Sequence, residues 1–300
     1  MLDVRRLRLL RELHARGTIA AVADALQYTP SAVSQQLAVL EREAGAELLE
    51  RVGRGVRLTD AGRRLVEHAD VILARLEVAE ADLAETHELR GRVRVASFQT
   101  AARALVAPAF IELATTAPAL RAELIEMEAE ESLPLLRVGE VDMVVAEEYE
   151  HAPRPRDPAF ERVMIHRDQL LLALPEGHPA TEKPKGKLQL AHLKDEAWAA
   201  PREGTAFTNE LRRLCRAMGD YEPDVRHQAN DVRLLLQLVA EGMGVALVPS
   251  LGFEPMAGVV TRPTPRSREI FASVRRGSVR QPAIQAVLGA LLDRGERPGT

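Results

Sequence analysis

One cysteine in 300 residues leaves no partner for an internal disulfide and no second thiolate for a zinc site. That residue, Cys215, closes the helical-looking run Leu211-Arg212-Arg213-Leu214-Cys215 and is expected as a buried structural thiol. Aromatic residues make up only 3% of the chain, so its cores must be built from Leu, Val, Ile and Ala. No apolar run approaches the ~20 residues needed to cross a bilayer. The N-terminus mixes Asp3 and Glu12 among its arginines and has no continuous apolar stretch of the signal-peptide kind. A soluble, cytoplasmic protein with no membrane contact is expected. The eight histidines show no HExxH or other metal-ligand spacing, and there is no G-x-S-x-G, no Walker lysine motif and no G-x-G-x-x-G opening a helix after a strand. His178, between Gly177 and Pro179, reads as a turn-structuring residue. No catalytic residue, metal or cofactor is expected.

What is present is a hydrophobic content of 46%, enough to bury a sizeable core over two domains or three lobes. The net charge of −4 argues by itself against a nucleic-acid partner, but it is unevenly spread. Residues 1–64 hold 11 Arg against 8 acids, a net +3, and the rest of the chain therefore carries −7. Position has to decide what that modest asymmetry means.

Val4, Leu7, Leu10 and Leu13 mark one face of a first helix that ends at Gly17, a favourable C-terminal cap. Thr18 can cap a short second helix with Val22 and Leu26 inward, kept slim by Ala20, Ala21, Ala23 and Ala25. After Gln27-Tyr28, Thr29 stands as N-cap and Pro30 at the first turn of a third helix. At 100° per residue Val33, Leu37 and Leu40 share its inner face, whereas Ser31, Gln35, Ala38 and Arg42 lie opposite, with Ser34 beside them. Such small polar groups fit a major groove without bulk and can meet base edges and thymine methyls. Two short helices joined by a tight turn, the second with this face, form a helix-turn-helix. An ordinary exposed helix would explain the face alone. It would not explain Arg51, Arg54 and Arg57 around the Gly-Arg-Gly turn that follows, which reads as a small β-wing aimed at phosphates or the minor groove. The expected DNA contacts are Thr29, Ser31, Ala32, Ser34, Gln35, Ala38, Arg42, Arg51, Arg54 and Arg57.

Thr59 then caps a long helix in which Leu65, Ala69, Ile72, Leu76, Ala79 and Leu83 recur at 4-3-4-3-4 spacing. A heptad seam with charged flanks favours pairing with another helix. Packing on the chain's own second domain is the alternative use of the same stripe. Dimerisation is preferred here because one helix-turn-helix reads only one half-site.

These motifs carry a resemblance. Residues 1–90 resemble the N-terminal part of LysR-type transcriptional regulators through the helix-turn-helix at 18–37, the stretch Pro30-Ser31-Ala32-Val33-Ser34-Gln35-Gln36-Leu37, Leu40-Glu41, and the run Arg51 to Gly62. Leu49 departs from the pattern, which usually has Phe there. The resemblance implies a homodimer or homotetramer that binds an interrupted palindrome near a promoter, bends it, and answers to a small effector.

Over the remaining two hundred residues short strand-like and helical runs alternate, as in α/β lobes with largely parallel sheets. Expected strands are Val93–Ala96, Leu124-Ile125, Val141–Ala146, Val163–Ile165, Leu170–Leu174, one near Val225, Val245–Pro249 and Ile270–Val274. Helices are expected over 100–113, through Leu133–Val138, and over 206–218, 231–241 and 284–292. The segments Gly139-Glu140-Val141-Asp142, Gly177-His178-Pro179 and Glu241 to Pro249 resemble the LysR effector-binding domain, itself similar to periplasmic solute-binding proteins. The expected architecture is a winged helix-turn-helix (1–60), a linker and dimerisation helix (61–90), and a two-lobed α/β effector domain (91–300), with lobe I at about 91–162 and 268–300 and lobe II at about 163–267.

In open α/β lobes ligands lie at the carboxyl ends of strands. Ser97, Gln99, Thr100 and Ala101 in the first lobe, Glu147 after its third strand, and Thr205, Gln228 and Asn230 in the second lobe are therefore the expected effector contacts. Thr100, Thr205 and Asn230 could equally be plain N-caps. A small polar metabolite is expected, its carboxylate or amide on backbone N–H groups, with Glu147 and Glu148 allowing an amino group on it. An effector-independent DNA-architectural protein is the alternative, but it would leave a clamshell without a purpose.

Overall fold

A computed structural model of the chain describes residues 1–26, 28–53, 55–84, 89–181 and 190–297; at 80–84 and at 181 it describes the backbone only. Three helices open it: α1 (Val4–Arg16), α2 (Ile19–Leu26) and α3 (Pro30–Ala44). Asp3 caps α1 by accepting from the N–H groups of Arg5 and Arg6. Gly17 ends it in the left-handed region at φ 76°, returning its N–H to the Leu13 carbonyl. Thr29 caps α3 by accepting from Ala32 N, with Pro30 at the first position where no donor is missed. Leu7, Leu10, Val22, Val33, Leu37 and Leu40 meet in one aliphatic core, all 1% exposed or less. The wing is an antiparallel pair, β1 (Leu49–Val52) and β2 (Gly55–Leu58). The Glu41 carboxylate ties it to α3 by accepting from Leu48 N and Leu49 N.

Helix α4 (Asp60–Ala84) starts under the wing. Gly62 is needed there: a Cβ would stand 2.3 Å from the Leu48 carbonyl oxygen. The inward stripe of α4 is Val66, Ala69 and Leu73. Farther along, Glu77 accepts from Arg275 Nε at 2.8 Å and from Gln281 Nε2 at 3.4 Å, fixing α4 to the second half of the chain.

That half holds β3 (Gly91–Ser97), α5 (Gln99–Ala101) running through a π-helical turn into α6 (Ala107–Thr116), β4 (Leu120–Glu126), α7 (Ala129–Val138), β5 (Met143–Tyr149), β6 (Phe160–Pro175), β7 (Ala197–Ala200), α8 (Ala206–Gly219), β8 (Asp224–Gln228), α9 (Val232–Ala240), β9 (Val245–Pro249), β10 (Val259–Arg275) and α10 (Pro282–Glu296). Eight strands form one sheet in the order β4-β3-β5-β10-β6-β9-β7-β8. The two outer trios are parallel within themselves, as expected for α/β lobes. The middle departs from the expected largely parallel sheets. Val163–Ile165 and Leu170–Leu174 belong to one 16-residue strand, β6, and Ile270–Val274 is the end of the 17-residue β10. These two run antiparallel across both lobes. Their ladder slips between Pro263 and Ser267 and again between Ile270 and Phe271, so the crossover is irregular on both sides of Arg268. Strand β7, with the fully buried Trp198, had no expectation attached to it.

Each lobe buries apolar clusters on its side of the crossover. Cys215 lies in the second of these, fully buried, and burial pushes its thiol up to about 11, which makes it an inert packing group. His178 holds its turn as read: Nδ1 accepts from Ala180 N and Nε2 meets Glu196. The helical head also touches lobe I directly. Arg11 donates to the Arg137 carbonyl at 2.7 Å, one of those that the end of α7 leaves unpaired, and Arg16 donates to the Pro134 carbonyl at 3.2 Å.

Candidate functional site

Burial of Val33, Leu37 and Leu40 dictates which way α3 faces outward. Ser31, Ser34, Gln35, Ala38 and Arg42 are all exposed, and Ala32 is half-buried. Ser34 Oγ donates to the Pro30 carbonyl at 2.9 Å, and the hydroxyls of Thr29 and Ser31 lie 3.0 Å apart. The neighbouring Gln36 accepts from Arg6 at 3.0 Å, anchoring α3 to α1 beside this face. On the wing Arg51 is exposed, while Arg57 is held across the strands by Glu50 at 2.8 Å. Arg54 lies outside the described residues.

The expected seam on α4 splits into two uses. Leu65 and Ala69 pack into the helix-turn-helix core, and Ala69 is fully buried there. The reason is phase: with Val66 and Leu73 they form the 3.6-residue stripe that the head itself needs. Ile72 and Leu76 are 40% and 39% exposed, next to Val71 at 68%, and Ala79 is exposed as well. The side chain of Leu83 lies outside the described residues.

Where the two lobes meet, Phe98, Gln99, Thr100, Glu147, Thr205 and Asn230 come together around a cavity of ≈ 40 Å³, joined by Glu128, Phe207, Leu235 and Arg268. Arg268 is its centre. It sits on β10 directly across from Asp168 of β6, just past the first slip in the ladder, and is 2% exposed. Its Nε donates to Asp168 at 2.8 Å, Nη1 to Glu147, and Nη2 to the Thr100 hydroxyl at 2.8 Å. The rings of Phe98 and Phe207 stand 5.0 and 5.8 Å from its guanidinium carbon. Burial pulls the pKa of this guanidinium down, but Glu147 and Asp168 outweigh it and hold the proton more tightly than usual. Asp168 is further fixed by Ser250 Oγ and Leu251 N, both at 2.7 Å, and Tyr149 donates to Glu147 at 2.9 Å. Two strands, β5 and β6, and the first turn after β3 thus converge on one cation carried by β10.

Five of the eight expected effector contacts line this cavity: Gln99, Thr100, Glu147, Thr205 and Asn230. Three do not. Ser97 turns its hydroxyl onto the Phe98 carbonyl, Ala101 is packed in the lobe I core, and Gln228 is exposed on the sheet-edge strand β8. Glu148 points to the other side of β5, where Arg156 and Arg162 hold it. Of the three residues that could be N-caps, only Thr205 is one; Asp231 caps α9, and Thr100 spends its oxygen on Arg268. Arg268 and Glu128 line the cavity and Asp168 holds Arg268 from behind it, and none of the three was expected. Asp168 lies in His166-Arg167-Asp168-Gln169 and Arg268 in Arg266-Ser267-Arg268-Glu269, polar stretches that read as surface.

Glu128 stands just before α7 and lines the cavity; its carbonyl accepts from Glu131 N and Ser132 N, while its carboxylate has no hydrogen-bond or ion-pair partner among the described residues. Burial, reinforced by Glu147 and Glu130, pushes its carboxyl up to about 7.

A winged helix-turn-helix tied to a two-lobed cleft defines a ligand-responsive DNA-binding protein. Comparison with known proteins makes this specific. Residues 4–63 match the family described as bacterial regulatory helix-turn-helix protein, lysR family, and residues 86–296 match the LysR substrate binding domain. The chain is 30% identical to the transcriptional regulator TfdS of Cupriavidus pinatubonensis over 90% of this chain and 88% of that one. It is 27% identical to the probable regulator LrrA of Synechococcus elongatus over 97% and 96% of the two chains. A full-length OxyR variant from Pseudomonas aeruginosa shares the fold with a TM-score of 0.61 at 20% identity, covering 97% of this chain and 98% of that one. The chain belongs to the LysR family: it is a DNA-binding transcriptional regulator with an effector-binding domain. Its named relatives are regulators, and no helix among the described residues is long and apolar enough to cross a membrane.

Proposed function

We propose that this regulator works by binding alone, reading base edges with the exposed face of α3 and taking a small polar metabolite between its lobes. The observation that carries the reading is the pairing of a protruding helix face of Ser31, Ser34, Gln35 and Ala38 with a buried polar cluster centred on Arg268. Small side chains on α3 let the backbone approach the groove floor, and Gln35 is the residue able to make a paired contact to adenine. Arg42, Arg51 and Arg54 supply phosphate contacts; Arg57 is already committed to Glu50 and contributes less. Thr29 and Ala32 shape the start of α3. Two copies pair through Ile72, Leu76 and Ala79, a stripe that the chain's own fold leaves uncovered. The working units are a head at 1–60, a linker helix at 61–90 and an effector domain at 91–300, with lobe I at 91–162 and 268–300 and lobe II at 163–267.

Thr100 is the switch contact. It hydrogen-bonds the cation that both lobes share, so a ligand that engages it competes for or extends the same network. Footprinting of the native promoter with and without candidate metabolites tests this. Thr100→Val should keep the apo footprint and lose the effector-dependent change. A variant that responds like the parent would move the effector site elsewhere.

A further inference from the structure

We propose that the cleft is built for a cation: a small ligand bearing a protonated amine, its charge met by the Glu128 carboxylate and its apolar part lying against Phe98, Phe207 and Leu235. This rests on the cleft being the effector site and names the class of molecule it takes.

The first reason is that Arg268 is already engaged and out of reach. Each of its three nitrogens donates to a protein oxygen, the rings of Phe98 and Phe207 lie beside it, and it is 2% exposed. A ligand carboxylate could take both edges of this guanidinium as an ion pair only by displacing Glu147 or Asp168, which are 5% and 0% exposed. Either would be left as a buried charge without a cation, the costly outcome for an ion pair taken out of water. The second reason is Glu128, which lines the same cavity and whose carboxylate has no partner among the described residues. The charged groups that act on it are Glu147 from β5, Glu130 from α7, Arg268 from β10 and Arg154 from the segment after β5. Both arginines are committed: Arg154 donates to Glu130 and to the Glu147 carbonyl. Glu128 and Glu147 line the cavity with the single cation Arg268, which Asp168 also engages from behind, so a positively charged ligand brings the cluster towards neutrality. An anionic one adds a third or fourth like charge at close range. The open volume of ≈ 40 Å³ holds about three waters, so the head group is small.

Binding a cation to Glu128 requires its ionised form, whereas without a cation its carboxyl, raised to about 7, carries a proton below that pH. Affinity for the cation should rise with pH through that value, by about tenfold between pH 6 and pH 8, and then level off.

The probes are two small ions of opposite charge, propylammonium chloride and sodium propionate, titrated into the full-length protein by calorimetry at constant ionic strength. Propylammonium should bind saturably at pH 8, about tenfold more weakly at pH 6, and propionate not at all. Glu128→Gln should abolish the ammonium binding and Glu128→Asp, which keeps the charge, should retain it; circular dichroism checks that both variants fold. Propionate binding in place of propylammonium would overturn the charge assignment and leave the cleft standing as the effector site. Absence of binding by either probe, or ammonium binding indifferent to Glu128→Gln, would also overturn it. The response of Thr100→Val in the footprint decides separately whether the cleft is the effector site.

Discussion

Replacing Arg268 with alanine removes the cation that lies between two buried carboxylates on different strands. Breaking a buried pair by deleting one partner costs about 3–5 kcal/mol, because the remaining charge is stranded. Contacts of the guanidinium with Phe98 and Phe207 contribute on the order of 0.5–2 kcal/mol each at most, so the stranded carboxylates should dominate. For a domain of this size about 2–4 °C of melting temperature accompany each kcal/mol, which predicts a fall of roughly 6–20 °C. Melts by circular dichroism at pH 8 measure this. Arg268→Lys should recover only part of the loss, since one ammonium cannot reach acceptors on β5, on β6 and at Thr100 together. Combining Arg268→Met with Glu147→Gln and Asp168→Asn should recover more, because no charge is left behind. A melting point within about 1 °C of wild type would refute the reasoning.

Leu76→Asp should leave the protomer folded, since Leu76 is 39% exposed, while sedimentation shows loss of the oligomer; Leu73→Asp, at a site only 5% exposed, should instead unfold the head. Gly62→Ala drives a methyl into the Leu48 carbonyl and should cost about 1–3 kcal/mol in denaturant melts and shift the wing, lowering DNA affinity. Arg11→Ala should leave Glu12 partly served by Arg16, so the loss is modest, about 1–2 kcal/mol, but backbone exchange in the last turn of α7 should quicken. An unchanged exchange rate there would mean that α1 does not brace lobe I.

Local pattern made the head legible. The spacing of Val33, Leu37 and Leu40 fixes which face of α3 is buried, and Thr29, Pro30 and Gly17 mark ends that need no tertiary information. The α4 stripe was legible only as a stripe. Heptad spacing and the 3.6-residue period share their first positions, so sequence could not tell that Leu65 and Ala69 serve the head and Ile72 and Leu76 do not. In the effector domain the alternating elements were readable, but β6 and β10 carry polar residues at the crossover, such as Asp168 and Arg268, which break the apolar runs that mark strands. The cleft was half legible for the same reason. Thr100 follows from its place after a strand, whereas Arg268 reaches it across 168 residues, and no local spacing encodes that pairing.

The central claim, that the outward face of α3 reads sequence for a paired regulator, is tested most directly by selection from random duplex DNA with the purified full-length protein. The expected result is an enriched motif with two-fold symmetry and spaced half-sites. Gln35→Ala should relax the motif at one position in each half-site and weaken the selected site by about 1–3 kcal/mol without changing the salt slope. No enriched motif, or the same motif at the same affinity from Gln35→Ala, would contradict the account.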